Sequence, residues 1–167
     1  MKAKLIVEGK EFPIEIHDPE LQKLLTPQKK TGYERVEEVS RYYYVDANGF
    51  VEEPVEACDD FDDDVYNTAN YYSSENVAQN NARADKLMRQ LRRFAVEHRK
   101  QDIDWNKGNY KYMIRYGYAE HDFCVGSEVG GRDFGGVIFD SKEICNLAIE
   151  TFHDELIWYF TEYKDSL

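Results

Sequence analysis

The chain has 167 residues, with 33 acidic and 21 basic side chains and a net charge of −12. This length is typical of one domain, or of one domain with a small appendage. No apolar run reaches the roughly 20 residues of a membrane-spanning helix, and the negative charge argues against nonspecific binding of nucleic acid, whose phosphates it would repel.

The three cysteines are scattered and include no CxxC pair. An arrangement of this kind is typical of proteins in a reducing compartment, which hold no disulfide framework. We therefore expect a cytoplasmic protein with no membrane partner.

Residues 1–32 are predicted to form an N-terminal β-hairpin appendage. Two short β-prone runs, residues 4–7 and 12–16, favour the two strands. Asp18 is placed to cap a short helix after them. The polar stretch 26–32 contains Pro and Gly and is predicted to be a linker.

Residues 33–167 are predicted to form the main domain, which begins with a second hairpin. The runs 41–45 (Arg-Tyr-Tyr-Tyr-Val) and 50–53 (Phe-Val-Glu-Glu) flank the turn 46–49. The Asn-Gly pair in this turn supplies the positive φ angles that a tight hairpin needs.

The acidic residues concentrate in the segment 34–72, which carries twelve acidic and two basic side chains, a net charge of −10. Its densest part is the run 59–64, for which we expect a charged loop and not a helix. The following segment, 73–100, carries seven basic and three acidic side chains, a net charge of +4. Apolar residues at helical spacing predict one long helix over this segment. Its basic residues are expected to pair with the protein's own acids or to solvate the helix.

Three further strands and a second long helix complete the main domain. The strands are predicted over residues 110–116, 122–125 and 136–139, with glycines between them. A wide apolar stripe predicts one helix over residues 141–163. The predicted fold class is α+β, with antiparallel strand groups packed on two long helices.

An internal repeat marks the starts of the two long helices. Residues 72–77 and 139–144 match at an offset of 67 residues, with an aromatic residue before a capping residue, Ser73 or Asp140. An aliphatic residue then falls at the position of a hydrophobic staple. Two explanations of this match are open. One is a duplication of the chain, and the other is that many helices begin with these residue types. The halves of the possible ββ(β)α repeat are residues 41–100 and 109–163.

Four motifs in the order found here are similar to those of a group of small proteins encoded by bacteriophages and prophages. The motifs are Tyr42–Gly49, Asn70–Glu75, Trp105-Asn106 and Ile138–Glu143. The resemblance covers most of residues 33–163 and implies a phage accessory protein in the cytosol of a bacterial host. It brings no catalytic residues. Some phage proteins of this size and acidity inhibit host defence, so the analogy implies an anti-CRISPR-like inhibitor.

The acidic run 59–64 has three interpretations. Its carboxylates could imitate a phosphate backbone for a basic groove, keep the protein soluble, or bind a hard cation. An EF-hand loop that started at Asp59 would need Gly at its sixth position and Glu at its twelfth. The chain has Asp64 and Asn70 there.

We predict a non-enzymatic binding protein that inhibits a host defence nuclease. It would occupy a basic, nucleic-acid-binding surface on that host protein, such as a CRISPR effector nuclease, without binding nucleic acid directly. No nucleophile or phosphate-loop motif indicates an enzyme, and no catalytic residue, metal ligand or cofactor is expected. The alternatives are a small metal-dependent enzyme that uses the acidic cluster, and a phage accessory protein whose acidity serves only solubility.

In the predicted binding protein, charge gives association speed and selectivity, while buried aromatic residues give most of the affinity. We expect the acids of the segment 34–72 and the tyrosines of the hairpin to be exposed for this purpose. The candidate partner-binding residues are Tyr42, Tyr44, Glu52, Glu53, Glu56, Asp59, Asp60, Asp62, Asp63 and Asp64.

Overall fold

The computed structural model describes residues 2–7, 10–21, 30–103, 108–129 and 135–165. The chain divides into two compact units, residues 1–31 and residues 32–167. Helices and small antiparallel sheets make up the described parts, which confirms the α+β class. None of the helices among the described residues is long and apolar enough to cross a membrane.

The first unit contains one two-stranded sheet. Strands β1 (Lys2–Val7) and β2 (Lys10–Glu15) pair antiparallel. The Asp18 carboxylate accepts hydrogen bonds from the backbone N–H groups of Glu20 (2.8 Å) and Leu21 (3.1 Å), as a helix cap does. Most of the predicted linker, residues 26–32, lies outside the described residues.

The hairpin predicted in the second unit is present. Strands β3 (Tyr44–Val45) and β4 (Val51–Glu52) pair antiparallel and are shorter than the sequence predicts. In the turn, Asp46 N–H donates to the Phe50 carbonyl (2.8 Å), and Gly49 has a φ of 89°. Only glycine adopts this φ without steric cost, so the Asn-Gly signal located the turn.

A helix follows where the sequence predicted a charged loop. Helix α1 (Asp60–Asn67) has Asp59 as its N-cap, and Asp59 and Asp62 form a reciprocal capping box. The carboxylates of the first turn lie at the positive end of the helix dipole, where negative charge is favourable. The loop prediction is therefore wrong, because the acids that disfavour a strand stabilise a helix start.

Helix α2 (Glu75–Glu97) confirms the helix predicted over residues 73–100 and buries one apolar side. Its N-cap is Ser74 and not the predicted Ser73. The Ser73 hydroxyl donates instead to Glu34 (3.0 Å), and its N–H donates to the Gly32 carbonyl (2.7 Å). These tertiary hydrogen bonds keep Ser73 outside the helix.

The second half begins with the antiparallel strands β5 (Tyr110–Gly117) and β6 (Asp122–Val129). The strand predicted over residues 136–139 is reduced to one bridge, between Phe139 and Tyr112, with hydrogen bonds of 3.0 and 2.9 Å. An equivalent bridge in the first half joins Tyr72 to Tyr43, with hydrogen bonds of 2.8 and 2.9 Å.

The predicted helix over residues 141–163 is two helices, α3 (Lys142–Thr151) and α4 (His153–Thr161), which are interrupted at Phe152. The Thr151 hydroxyl donates to the Leu147 carbonyl (2.7 Å) in the last turn of α3. Such a bond to the preceding turn bends helices. Phe152 then packs edge-on against Phe94 of α2, with ring centroids 5.5 Å apart, so the interruption adds a core residue.

The cap predicted at Asp140 is also one residue early. Ser141 is the N-cap of α3, and its hydroxyl accepts a hydrogen bond from Ile144 N–H (3.3 Å). Asp140 is buried, and its Oδ2 accepts hydrogen bonds from the N–H groups of Lys100 (2.7 Å) and Gln101 (3.0 Å). Asp140 therefore joins the chain after α2 to the start of α3. The main core lies between α2, α3, α4 and the inner side of the β5–β6 sheet, and its buried members include Leu87, Leu91, Phe94, Phe139, Ile144, Cys145, Ala148 and Leu156.

We predict that the second unit folds without the first. A chain that starts at Gly32 keeps α1 to α4, β3 to β6 and the main core, so it should unfold cooperatively. Thermal unfolding followed by circular dichroism checks this. A truncated chain with no helical signal would show that residues 1–31 belong to the folding unit.

We predict that Gly32→Ala destabilises the second unit more than Gly135→Ala. Both glycines have positive φ values, 96° and 77°, so both substitutions carry a backbone penalty of about 1 kcal/mol. A Cβ at Gly32 would also lie 2.7 Å from Val77 Cγ2, whereas a Cβ at Gly135 has no neighbour within 4 Å. Overpacking then raises the loss at Gly32 to about 3 kcal/mol. Urea unfolding measures both free energies, and equal losses would contradict the packing at Val77.

Candidate partner-binding surface

Three of the ten predicted contact residues are buried, which corrects the expectation that they face a partner. The exposed fractions of Tyr42, Glu56 and Asp62 are 0, 1 and 2%. No partner can contact side chains at this depth without unfolding the segment. The contacts of these residues show that they stabilise the fold instead.

Glu56 is the centre of a buried hydrogen-bond network. Arg35 donates to both of its carboxylate oxygens, from Nη2 at 2.7 Å and from Nε at 3.2 Å. The Tyr71 hydroxyl (2.7 Å) and Cys58 N–H (3.0 Å) donate to it as well. The hydrogen bonds from Arg35 are the main reason that the pKa of Glu56 falls to about 2. The carboxylate is therefore ionised and satisfied although it is buried.

Asp62 fixes the position of α1 in the same network. The Tyr42 hydroxyl donates to its Oδ1 (2.6 Å), and Ala57 N–H donates to its Oδ2 (2.7 Å). Tyr42 also stacks on Tyr71, with ring centroids 4.1 Å apart and an interplanar angle of 10°. Burial is the main cause that raises the pKa of both tyrosines. The stacked pair thus connects the two buried carboxylates, Asp62 and Glu56.

The remaining acids of α1 face outward and form a narrower candidate site. Asp60, Asp63 and Asp64 are exposed and have the i, i+3, i+4 spacing that places side chains on one side of a helix. Phe61 is 49% exposed and Tyr66 is 42% exposed, and they border this stripe on either side. We call the five residues Asp60, Phe61, Asp63, Asp64 and Tyr66 the acidic α1 face.

The charges of this face are only partly neutralised. Asp63 accepts a hydrogen bond from Arg35 Nη1 (2.6 Å). Within the part of the chain that the structure describes, Asp60 and Asp64 have no ion pair. Asp59 is exposed, but its side chain accepts the capping bond from Asp62 N–H (3.0 Å). Among the described residues, Asp60 and Asp64 are thus the acids of this face whose charge has no ion pair.

The other candidates lie on the β3–β4 hairpin. Glu52 and Glu53 are exposed, and Glu53 accepts hydrogen bonds from Arg41 (2.9 Å) and from the Tyr43 hydroxyl (3.2 Å). Tyr44 is half-buried and packs edge-on against Phe61 of the acidic α1 face, with ring centroids 5.4 Å apart. Tyr44 therefore contacts the acidic α1 face through Phe61, and only part of the Tyr44 ring is exposed.

Phe61 and Tyr66 were not among the residues predicted to contact a partner. The usable signal was the spacing within the run, because Asp62 and Val65 at i, i+3 form the buried side of a helix. Once that side is assigned, the acids and aromatic residues around it must face outward. The expected loop concealed this division.

The described residues contain no group of three or more His, Cys, Asp or Glu side chains that could hold a metal ion. Comparison of the chain with protein-family models, with curated proteins and with solved structures gives no match. A functional assignment therefore depends on the geometry and charge of the surface.

We predict that Glu56→Gln lowers the free energy of unfolding by about 2 kcal/mol at pH 7, because it removes the charge that receives the hydrogen bonds of Arg35 and Tyr71, while Arg35 keeps its ion pair with Asp63. The pKa of Glu56 lies below its ordinary value of 4.5. Its stabilising effect is thus complete above pH 4.5 and is lost as the pH falls towards 2. The difference between variant and wild type should shrink over the same range.

Glu53→Gln is the matched control, since the Arg41–Glu53 ion pair is exposed and should cost under about 1 kcal/mol. Urea unfolding between pH 7 and pH 2.5 measures both variants. A loss at Glu56 no larger than the loss at Glu53 would contradict the structural role of the ion pair between Glu56 and Arg35.

Proposed function

We propose that this protein is a non-enzymatic binding protein whose acidic α1 face recognises a basic surface on a partner protein. The observation that carries the proposal is the division of the carboxylates. Glu56 and Asp62 are buried and hold the fold, whereas Asp60 and Asp64 are exposed and unpaired within the described residues. Charge that the fold does not use is available to a partner.

The aromatic residues beside the acids favour binding over a role in solubility alone. Acids suffice to keep a protein soluble, and a half-exposed Phe61 works against that role. In protein–protein interfaces, aromatic side chains supply much of the affinity, and charged residues around them guide association. The acidic α1 face combines both kinds of residue on one short helix.

The resemblance to phage accessory proteins supplies the partner class within this proposal. We propose a host defence nuclease, such as a CRISPR effector, whose nucleic-acid-binding surface is basic. The carboxylates of α1 would accept the hydrogen bonds that arginines of such a surface otherwise give to phosphates. The protein would then act in the bacterial cytosol as a competitor of nucleic acid.

The test neutralises only the exposed, unpaired acids. We predict that Asp60→Asn/Asp64→Asn changes the melting temperature little, because the relief of self-repulsion offsets the loss of the Asp60 charge from the first turn of α1. The variant should lose capture of the partner from a bacterial host lysate, read by mass spectrometry. Glu150→Gln/Glu162→Gln removes the same charge from exposed positions on or beside α3 and α4 and should capture the partner as the wild type does.

The captured protein then allows a kinetic measurement. Its association rate with the wild type should fall steeply as salt rises from about 0.1 M to about 1 M, where the Debye length shrinks from about 10 Å to about 3 Å. Nucleic acid should compete with the wild type for this protein. Equal capture by the Asp60/Asp64 variant and the wild type would overturn the proposal and leave the acidity as a solubility feature.

A further inference from the structure

The outward side of α2 carries a row of cations, most of which have no ion pair among the described residues. Lys86, Arg89, Arg92 and Arg93 are all exposed. Within the described part of the chain only Arg93 has an ion pair, with Glu97 at 3.8 Å, and both side chains are exposed. Such a pair contributes little. Of the two expected roles for the basic residues of this helix, Lys86, Arg89 and Arg92 therefore have the second, because they are exposed and have no ion pair among the described residues.

Arg83, which lies earlier on the same helix, does have an ion pair. Its Nε and Nη2 donate to the Glu155 carboxylate at 2.8 and 3.1 Å, and its guanidinium lies 4.0 Å from the centroid of the Trp158 ring. Helix α4 thus supplies a counter-charge to the first part of α2 only. We call the four later cations, Lys86, Arg89, Arg92 and Arg93, the basic α2 face.

An exposed aromatic residue and a groove lie beside the basic α2 face. Arg89 lies against the β3–β4 turn, since a Cβ at Gly49 would be 3.6 Å from Arg89 Nη2. Phe50, which follows Gly49 in the chain, is 68% exposed. A groove of about 990 Å³, lined in part by Phe50, Lys86 and Gln90, lies between this turn, α2 and the junction of α3 and α4. Glu150, Asp154 and Glu155 line the α3–α4 side of this groove, so its cations and the apolar Phe50 lie on the α2 and turn side.

We infer that the basic α2 face binds the acidic α1 face of a second copy of this chain. The two faces have opposite charge, and each is bordered by an exposed aromatic residue. Their lengths match, because α1 and the span from Lys86 to Arg93 each contain eight residues and extend about 12 Å. No ion pair among the described residues joins α1 to α2 within one chain, so each face is available to another copy.

The contact joins two different faces and is therefore heterologous. A dimer built in this way leaves one acidic and one basic face open, so association continues as a chain or closes into a ring. Each copy has a net charge of −12, and this repulsion limits growth to small oligomers. Moderate salt screens the long-range repulsion first, while high salt also removes the short-range attraction.

This inference uses the acidic α1 face of the proposed function but needs no partner. Self-association covers the same Asp60 and Asp64 that a basic partner would contact. A partner must therefore displace the second copy. The self-associated protein is an inactive form, in which the acidic α1 face is covered. A variant that loses self-association through the basic α2 face keeps Asp60 and Asp64 free, so it should capture the partner at least as well as the wild type.

Two complementary variants of the full chain test the inference. The acid variant is Asp60→Asn/Asp64→Asn, and the base variant is Lys86→Gln/Arg89→Gln/Arg92→Gln. In sedimentation velocity at about 0.1 M salt the wild type should associate, and at about 1 M salt it should be monomeric. Each variant alone should be monomeric at both salt concentrations. An equimolar mixture should give a 1:1 complex, because one variant keeps the basic face and the other keeps the acidic face.

The controls separate this contact from general charge effects. Arg99→Gln/Lys100→Gln/Lys142→Gln removes three other exposed cations and should associate as the wild type does. Circular dichroism confirms that the variants are folded. If the base variant melts well below the wild type, Lys86→Gln/Arg92→Gln replaces it, since both residues are exposed and unpaired among the described residues.

Three results would overturn the inference. The first is a wild type that stays monomeric at about 0.1 M salt, and the second is a mixture of the two variants that does not form the 1:1 complex. The third is a monomeric wild type that binds a labelled single-stranded oligonucleotide while the base variant does not, which would assign the basic α2 face to nucleic acid. In all three cases, capture of a host protein by the base variant still reports independently on the proposed function.

Discussion

The ion pair between the buried Glu56 and the partly exposed Arg35 holds the first half of the main unit together. A carboxylate at this depth is costly unless its charge is paired and its oxygens are hydrogen-bonded. Arg35, Tyr71 and Cys58 meet both requirements. They come from the segment before the hairpin, the approach to α2 and the chain that leads into α1. One side chain thus fixes three segments that have few apolar residues of their own.

Local patterns were sufficient to predict the β3–β4 hairpin and α2. The turn depends on Asn48-Gly49, and α2 depends on apolar residues at helical spacing, so both signals lie within the element itself. The division of the acids was not predictable in this way. The buried Asp62 accepts a hydrogen bond from Tyr42, which lies 20 residues away in the sequence. The buried Glu56 accepts hydrogen bonds from Arg35, which lies 21 residues away. The spacing of the acids within residues 56–64 gives no indication of these distant partners.

The helix starts show the same limit on a smaller scale. Ser73 and Asp140 have the side chains of capping residues, yet tertiary hydrogen bonds engage both, and the residue after each becomes the N-cap. The aromatic residues Tyr72 and Phe139 lie two positions before these caps, and each bridges to a strand. The internal repeat therefore reflects a shared strand–helix junction, and a duplication of the chain stays a hypothesis.

The separation of buried and outward acids on one short helix has a consequence for the evolution of this protein. Replacement of Asp62 or Glu56 removes hydrogen bonds that the core needs, so selection for stability acts on them whatever the protein binds. Asp60 and Asp64 are exposed and have no ion pair among the described residues, so the fold constrains them much less. These two surface positions can therefore diverge, while the carboxylate of Asp62, two positions from each of them, remains fixed.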